Sequence, residues 1–117
     1  MYVVSYCNYF YPHVDRWWYV SESEDEARGK IDQKVKSASM LSTSDFSIRK
    51  LSRKEKRLFL QTCQRVKELI EERQWSNEIM WRLEREGLLF LAWRTAMNYL
   101  VDKGELSEEF HTANVPA

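Results

Sequence analysis

The sequence predicts an α+β fold in which an N-terminal β-hairpin, a helix and a third strand (ββαβ) pack against two or three C-terminal helices. Three observations predict this class. Residues 2–20 are dominated by Val, Tyr, Phe and Trp, which favour strands, with a proline turn among them. Ser-x-x-Glu sequences at 21–24 and 52–55 have the form of capping boxes, which begin helices. Beyond residue 52, apolar residues recur with the 3.6-residue period of a helix.

The hairpin is predicted from residues 2–11 and 16–20, joined by a loop at 12–15. Side chains alternate between the two faces of a strand, so the adjacent Trp17 and Trp18 should point to opposite faces. Neither face is polar, and the hairpin must therefore be covered on both sides or leave aromatic surface exposed. One face is expected to hold Tyr2, Val4, Tyr6, Asn8 and Phe10, and the other Val3, Ser5, Cys7, Tyr9 and Tyr11.

The first helix is predicted to begin at Ser21, where Glu24 completes the capping box. It should face the sheet with a narrow apolar stripe at helical spacing. After a Ser/Thr-rich connection, residues 45–51 alternate apolar and polar side chains, with Phe46 and Ile48 on one face, and predict the third strand. The stripe of the helix consists of Ala27, Ile31, Val35 and Ala38.

The second capping box, Ser52 with Glu55, predicts a helix that continues to about Gln74. Ser76 or Asn77 is the expected N-cap of the helix that follows. The stripe of the first of these helices consists of Phe59, Cys63, Val66 and Ile70, flanked by Leu58, Thr62 and Leu69.

The helical pattern after residue 76 continues to Lys103, where Gly104 is expected to close it. Gly87 either kinks or interrupts this segment, and both alternatives stay open. Residues 88–92 are apolar all round, which predicts that they form the central core element. Residues 107–110 are expected to add one short turn.

The length of 117 residues suits a single domain. Within it, residues 1–51 form the predicted ββαβ portion, 52–104 the helical portion and 111–117 a frayed tail. Two cysteines are too few for a disulfide scaffold, and both lie in apolar patterns typical of buried thiols. No basic segment precedes the first apolar stretch, and the longest apolar run is far shorter than the about 20 residues of a membrane span. A cytoplasmic protein is expected.

Charge and motifs exclude several classes of function. Eighteen basic and eighteen acidic residues leave a net charge of zero, which excludes the broad basic field of a duplex-binding protein and the acidic coat of a DNA mimic. Three glycines cannot build a phosphate-binding loop, and no metal-ligand spacing occurs, so neither a cofactor nor a metal is expected. Cys7 and His13 allow a nucleophile–base pair, but a packed thiol and an exposed turn histidine are favoured, so no enzyme is expected.

Aromatic residues are concentrated in the hairpin, whose second face would present Tyr and Trp, the residues most enriched at binding hot spots. The alternative is that another segment covers that face. The candidate partner-binding residues of the hairpin are Tyr9, Tyr11, His13, Trp17 and Trp18.

A basic cluster follows at residues 49–57, which contain six basic residues and one acidic residue, Glu55. Most of these cations lie in the first turns of a predicted helix, where they oppose the helix dipole, which favours an anionic partner. A solvated helix face is the alternative. The candidate contacts here are Arg49, Lys50, Arg53, Lys54 and Arg57, with Lys56 beside them.

Two stretches, residues 17–27 (WWYVSESEDEA) and 100–106 (LVDKGEL), resemble the small accessory proteins that phages and other mobile elements encode. The resemblance implies an inhibitor or modulator, for example in an anti-defence role, that occludes a host enzyme or complex. Together with the missing catalytic groups, it favours a non-enzymatic protein-binding module. The alternative is an accessory protein that binds RNA or single-stranded nucleic acid through the hairpin aromatics and the basic cluster. Self-association, which would close an uncovered aromatic face, stays open as a further alternative.

Overall fold

The computed structural model describes residues 1–7, 15–74 and 76–111. The chain divides into two compact units, the first spanning Met1–Leu51 and the second beginning at Ser52. The α+β class is confirmed, since the first unit holds a three-stranded antiparallel sheet and the second is helical. The single domain and the frayed tail stay predictions, and residues 112–117 lie outside the described residues.

The first unit consists of strand β1 (Tyr2–Cys7), strand β2 (Asp15–Ser21), helix α1 (Glu24–Ser37) and strand β3 (Phe46–Lys50). The strands are ordered β2-β1-β3 and pair antiparallel on both sides of β1. The predicted hairpin and third strand are therefore confirmed. Residues 12–14 of the predicted turn lie outside the described residues, and Asp15, which was predicted to end the turn, is the first residue of β2.

A β-bulge interrupts the hairpin at Trp18. Val4 pairs with Tyr19, whereas Ser5 pairs with Trp17, so Trp18 is the extra residue of β2. As a result Trp18 and Tyr19 join the same apolar cluster, although they are neighbours in sequence. Trp17 lies opposite Ser5, on the other face, and the two tryptophans therefore point to opposite faces, as predicted.

Helix α1 begins two residues later than the sequence predicts. Its N-cap is Ser23, whose Oγ accepts a hydrogen bond from the Glu26 amide at 3.2 Å. Ser21 is instead the last residue of β2, where it pairs with Tyr2, and its hydroxyl donates to the Ser23 carbonyl at 2.7 Å. The prediction of Ser21 as the N-cap was wrong because Ser21 still belongs to the β1–β2 ladder, where it pairs with Tyr2.

The core of the first unit lies between α1 and one face of the sheet. The predicted helix stripe is confirmed, with Ala27, Ile31 and Ala38 buried and Val35 half-buried against the cluster. The strands contribute Val4, Tyr6, Tyr19 and Phe46, with Trp18, Leu41 and Ile48 packed around them.

The second unit consists of helices α2 (Arg53–Glu71), α3 (Ser76–Arg85) and α4 (Trp93–Asp102), with short 3-10 turns at Phe90–Ala92 and Glu108–Phe110. The capping box of α2 is confirmed: the Ser52 amide donates to Glu55 Oε1 at 3.0 Å, and the Glu55 amide donates to Ser52 Oγ at 3.1 Å. Of the predicted apolar stripe, Phe59, Cys63 and Val66 are buried and Ile70 is half-buried, and the flanking Thr62 and Leu69 are buried as well.

Gly87 interrupts the helical segment. It has φ of +73°, a left-handed conformation that ends α3, and the next amide, that of Leu88, donates back to the Leu83 carbonyl at 2.9 Å. Gly104, with φ of +75°, closes α4 in the same way, as predicted.

The prediction that residues 88–92 form the central core was wrong. Leu91 is 80% exposed, and the segment buried on every side is Thr95–Val101 of α4. The reason is the break at Gly87, after which the chain does not continue α3 but enters the 3-10 turn at Phe90–Ala92. Fully buried large side chains, among them Phe59, Leu69 and Leu83, make up the core of the second unit, where the Phe59 and Tyr99 rings meet edge to face at 5.3 Å.

Candidate functional site

The described aromatic residues of the hairpin are buried or half-buried. Tyr6 and Tyr19 are buried, Trp17 and Trp18 are half-buried, and the Trp18 ring packs 5.0 Å from that of Phe46. On the sheet face away from α1, Val3 is buried as well. The expectation of an exposed aromatic face is therefore not met by the described strands, since the bulge turns Trp18 into the cluster. Tyr9, Tyr11 and His13 lie outside the described residues.

Cys63 lies in the core of the second unit as a free thiol. Burial, with a smaller contribution from the Glu105 carboxylate, raises the pKa of Cys63 to about 12. A thiol that stays protonated is a poor nucleophile. The Cys7–His13 alternative falls on side chains outside the described part of the chain. Within that part, no three His, Cys, Asp or Glu residues are placed to hold a metal ion, and no helix is long and apolar enough to cross a membrane.

The predicted basic residues divide between the two units. Arg49 and Lys50 are exposed on β3, in the first unit. The others are exposed on the first turns of α2, and in the described residues they have no ion pair or hydrogen bond from their side chains. These four side chains are Arg53, Lys54, Lys56 and Arg57, which we call the α2 basic turn.

The second half of α2 differs, because its cations are paired. Arg65 Nε lies 3.0 Å from Glu86 Oε1, and Arg65 NH1 lies 3.1 Å from Glu68. The hydrogen bond to Glu86 and then that to Glu68 raise the pKa of the Arg65 guanidinium. Lys67 lies 3.8 Å from Glu105. Positive charge therefore does not run along the whole helix, and the α2 basic turn is a short feature.

The most exposed aromatic side chain of the described structure is Trp81, which sequence reasoning missed. It is 59% exposed on α3, and no described residue forms a hydrogen bond or a ring contact with it. At 100° per residue, Trp81 points away from the buried Ile79 and Leu83, and that departure from the stripe was the available signal. Arg85 follows one turn later on the same face.

The turn after α3 exposes a second large apolar side chain. Leu91 belongs to the 3-10 turn that packs beside α3. This turn is held by Thr62 of α2, whose hydroxyl donates to the Leu58 carbonyl at 2.8 Å and accepts from the Leu89 amide at 3.1 Å. A partly buried hydrogen bond thus holds the segment that presents Leu91. We call Trp81, Arg85 and Leu91 together the α3 surface.

The first unit carries a groove between α1 and β3, with a cavity of about 320 Å³. Ile31, Phe46 and Ile48 supply its apolar lining, and Arg28 and Asp32 are exposed charged residues of its wall. Arg28 is already paired with Glu24 at 2.8 Å, whereas Asp32 has no ion pair in the described part. Such a groove can accept apolar side chains and one cation, but it holds no pair of groups that would act as acid and base.

No protein-family model, no curated protein and no solved structure matches this chain.

Proposed function

We propose that the chain is a non-enzymatic protein-binding module that acts by occluding its partner, as an inhibitor or modulator of the kind that phages direct at a host enzyme or complex. The observation that supports protein binding is the α3 surface. Trp and Arg are the residue types most enriched at binding hot spots, and Trp81 and Arg85 stand one helical turn apart. The resemblance to phage accessory proteins supports a host enzyme or complex as the partner.

The energetic argument rests on Trp81. Its ring is 59% exposed and has no partner among the described side chains. Covering the exposed part at about 25 cal/mol per Å² would contribute about 3 kcal/mol to a complex. That contribution is of hot-spot size. Leu91, at 80% exposure, adds apolar area on the neighbouring turn.

The test compares proteins captured by the full chain with those captured by two variants. Trp81→Ala removes the proposed anchor, and Met40→Ala is the matched control, since Met40 is an apolar side chain of the first unit with 86% exposure. We expect one partner whose affinity falls by about 30-fold or more with Trp81→Ala and by less than about threefold with Met40→Ala. A partner bound equally by both variants would contradict the α3 surface.

The hairpin residues stay a prediction that the same assay tests. Tyr11→Ala and His13→Ala change side chains that lie outside the described structure. If these variants lose affinity for the partner while Trp81→Ala keeps it, the binding site lies on the hairpin and not on the α3 surface.

A second candidate function is binding to RNA or single-stranded DNA. The α2 basic turn favours it, because its four exposed cations are unpaired among described residues and oppose the helix dipole. Counterion release predicts an affinity that falls steeply with salt, with a slope of about −0.7 per phosphate contacted. Replacing Arg53 and Arg57 by Gln should reduce that slope, whereas replacing Arg82 and Arg85 by Gln should leave it unchanged. No binding of a labelled oligonucleotide at low salt would remove this candidate.

A further inference from the structure

Strand β3 lies at the edge of the described sheet, and its hydrogen-bonding pattern can be read from its pairing with β1. The Leu51 amide donates to the Met1 carbonyl at 3.0 Å, in register with the pairs Val3–Arg49 and Ser5–Ser47. Hydrogen-bonded pairs alternate along an antiparallel ladder. The backbone groups of Phe46, Ile48 and Lys50 therefore point away from β1.

Most of these outward groups have no hydrogen bond within the described residues. The Phe46 amide donates to the Thr43 carbonyl. The carbonyl of Phe46, and both backbone groups of Ile48 and Lys50, have no partner in that part of the chain. Such an edge is a template for a further strand.

The groove described above lies beside this edge. Phe46 and Ile48 line it, and Lys50 shares their face because side chains alternate along a strand. Besides Arg28, which pairs with Glu24, two exposed charges stand on this side of the unit, Lys50 on the strand and Asp32 on α1. Neither has an ion pair among the described residues.

We propose that the β3 edge pairs with the β3 edge of a second copy of this chain, antiparallel about a two-fold axis at Ile48. Ile48 then lies opposite its own copy, and Lys50 lies opposite Phe46 of the second copy. The two Ile48 residues exchange two hydrogen bonds, and each Lys50 amide donates to a Phe46 carbonyl. The outward amides of Ile48 and Lys50 thus gain partners, that of Phe46 keeps its bond to Thr43, and the two sheets become one of six strands.

The charges favour a second copy over an unrelated strand. A lysine on an edge strand normally discourages pairing. In this register, however, Lys50 lies opposite Phe46 of the other copy. Asp32 of that copy lines the same cavity as Phe46, so the lysine of one copy approaches the aspartate of the other. The two-fold axis repeats this contact, so both unpaired charges of each copy are matched. The net charge of zero adds no general repulsion between copies.

The experiment is a charge-reversal cycle on the full chain, measured by analytical ultracentrifugation from about 1 µM to about 1 mM. Lys50→Glu and Asp32→Lys should each weaken dimerisation by about tenfold, because each turns two attractive contacts into repulsive ones. The double variant should restore it to within about threefold of the wild type. Lys30→Glu is the control: it makes the same charge change beside Tyr19 of β2, at the far edge of the sheet, and should leave dimerisation intact.

Ile48→Pro gives an independent test. It removes an amide that points outward, so the ladder with β1 is kept while the central pair of hydrogen bonds is lost. We expect a monomer with a wild-type circular dichroism spectrum, and if this variant does not fold, the charge cycle still decides.

A wild-type monomer throughout the concentration range would overturn the proposal, as would a dimer that ignores both charge reversals or a double variant that is not rescued. A monomer that instead binds a peptide of alternating Glu and Val at Ile48 would assign the edge to a foreign strand. None of these results depends on the α3 surface, so this proposal and the proposed function fail separately.

Discussion

The two units present different chemistry for recognition. The first exposes backbone groups along β3 beside a groove, so what it offers a partner is mainly hydrogen bonds and a strand register. The second satisfies its backbone within helices and offers side chains, Trp81 and Leu91. At an edge strand the main-chain hydrogen bonds supply affinity and the flanking side chains select the partner strand, whereas an exposed indole needs a fitted pocket. We therefore propose self-association for the first surface and partner choice for the second.

The cores differ in the same sense. In the first unit the large core side chains Tyr6, Tyr19 and Phe46 keep 9%, 7% and 8% exposure, and the fully buried side chains are small ones, Val3, Val4 and Ala27. The second encloses large ones, with Phe59, Leu69 and Leu83 among the largest fully buried side chains. Where a core depends on a few large side chains, truncating any one of them lowers the free energy of unfolding strongly. The predictions that follow test this difference between the two units.

The largest expected effect is that of Phe59→Ala. Phe59 is fully buried and packs against Tyr99, so its loss should lower the free energy of unfolding by about 3–5 kcal/mol. Leu60→Ala is the neighbouring control: Leu60 is 41% exposed and its loss should cost about 1 kcal/mol or less. Urea denaturation followed by circular dichroism measures both. Equal losses would show that the second unit does not depend on its large buried rings.

The thiol of Cys63 predicts a stability that falls at high pH. Its pKa is about 12 in the folded chain, against 9.0 for an unperturbed thiol, so between these values the unfolded chain loses its proton first. The unfolded state then binds fewer protons, and unfolding becomes easier by about 1.4 kcal/mol per pH unit, or about 3 kcal/mol by pH 11. Below pH 9 the thiol is protonated in both states and contributes no slope.

Cys63→Ala isolates this contribution, because tyrosines and lysines titrate equally in the wild type and in the variant. The measurement is the difference between their free energies of unfolding at pH 8, 9, 10 and 11, obtained from denaturant titrations. The difference should shrink as pH rises. A constant difference would mean that solvent reaches the thiol.

A smaller effect is expected at Thr62, which joins α2 to the turn that presents Leu91. Thr62→Val keeps the shape but leaves the Leu89 amide without its acceptor, which should cost about 1–2 kcal/mol because Leu89 is half-buried. Thr62→Ser retains the hydroxyl and should keep the turn in place. If the turn positions the α3 surface, Thr62→Val also weakens partner binding, whereas Thr62→Ser does not.

The parts of the fold that could be predicted from sequence are those governed by local rules. Alternation along β1 and β3 and the stripe of α2 follow from periodicity, and the capping box at Ser52 follows from spacing. The bulge at Trp18 could not be predicted, because it depends on how β2 pairs with β1. Ser21 was misassigned for the same reason, since pairing with Tyr2 outweighs a local capping preference.

The candidate sites were less predictable than the fold. The aromatic composition predicted a binding site on the hairpin. Whether a side chain is exposed depends on tertiary packing, however, and the described aromatic residues of the hairpin are buried or half-buried. Trp81 stood out only by its angle to Ile79 and Leu83. The β3 edge was beyond sequence reasoning, because unpaired amides become visible only once the strand order is known.

The smallest expected effect is the change in stability on replacing a glycine by alanine, which should have opposite signs in the two units. A Cβ at Gly29, Gly87 or Gly104 would meet nothing within 4 Å, so crowding distinguishes none of them. Gly29 lies within α1, where alanine has the higher helix propensity, and Gly29→Ala should stabilise the first unit by up to about 1 kcal/mol. Gly87 and Gly104 have φ of +73° and +75°, which alanine adopts only with strain, so the same change there should destabilise the second unit by about 1 kcal/mol. Thermal unfolding of the three variants measures the signs, and three changes of one sign would refute the assignment of left-handed backbone to the ends of α3 and α4.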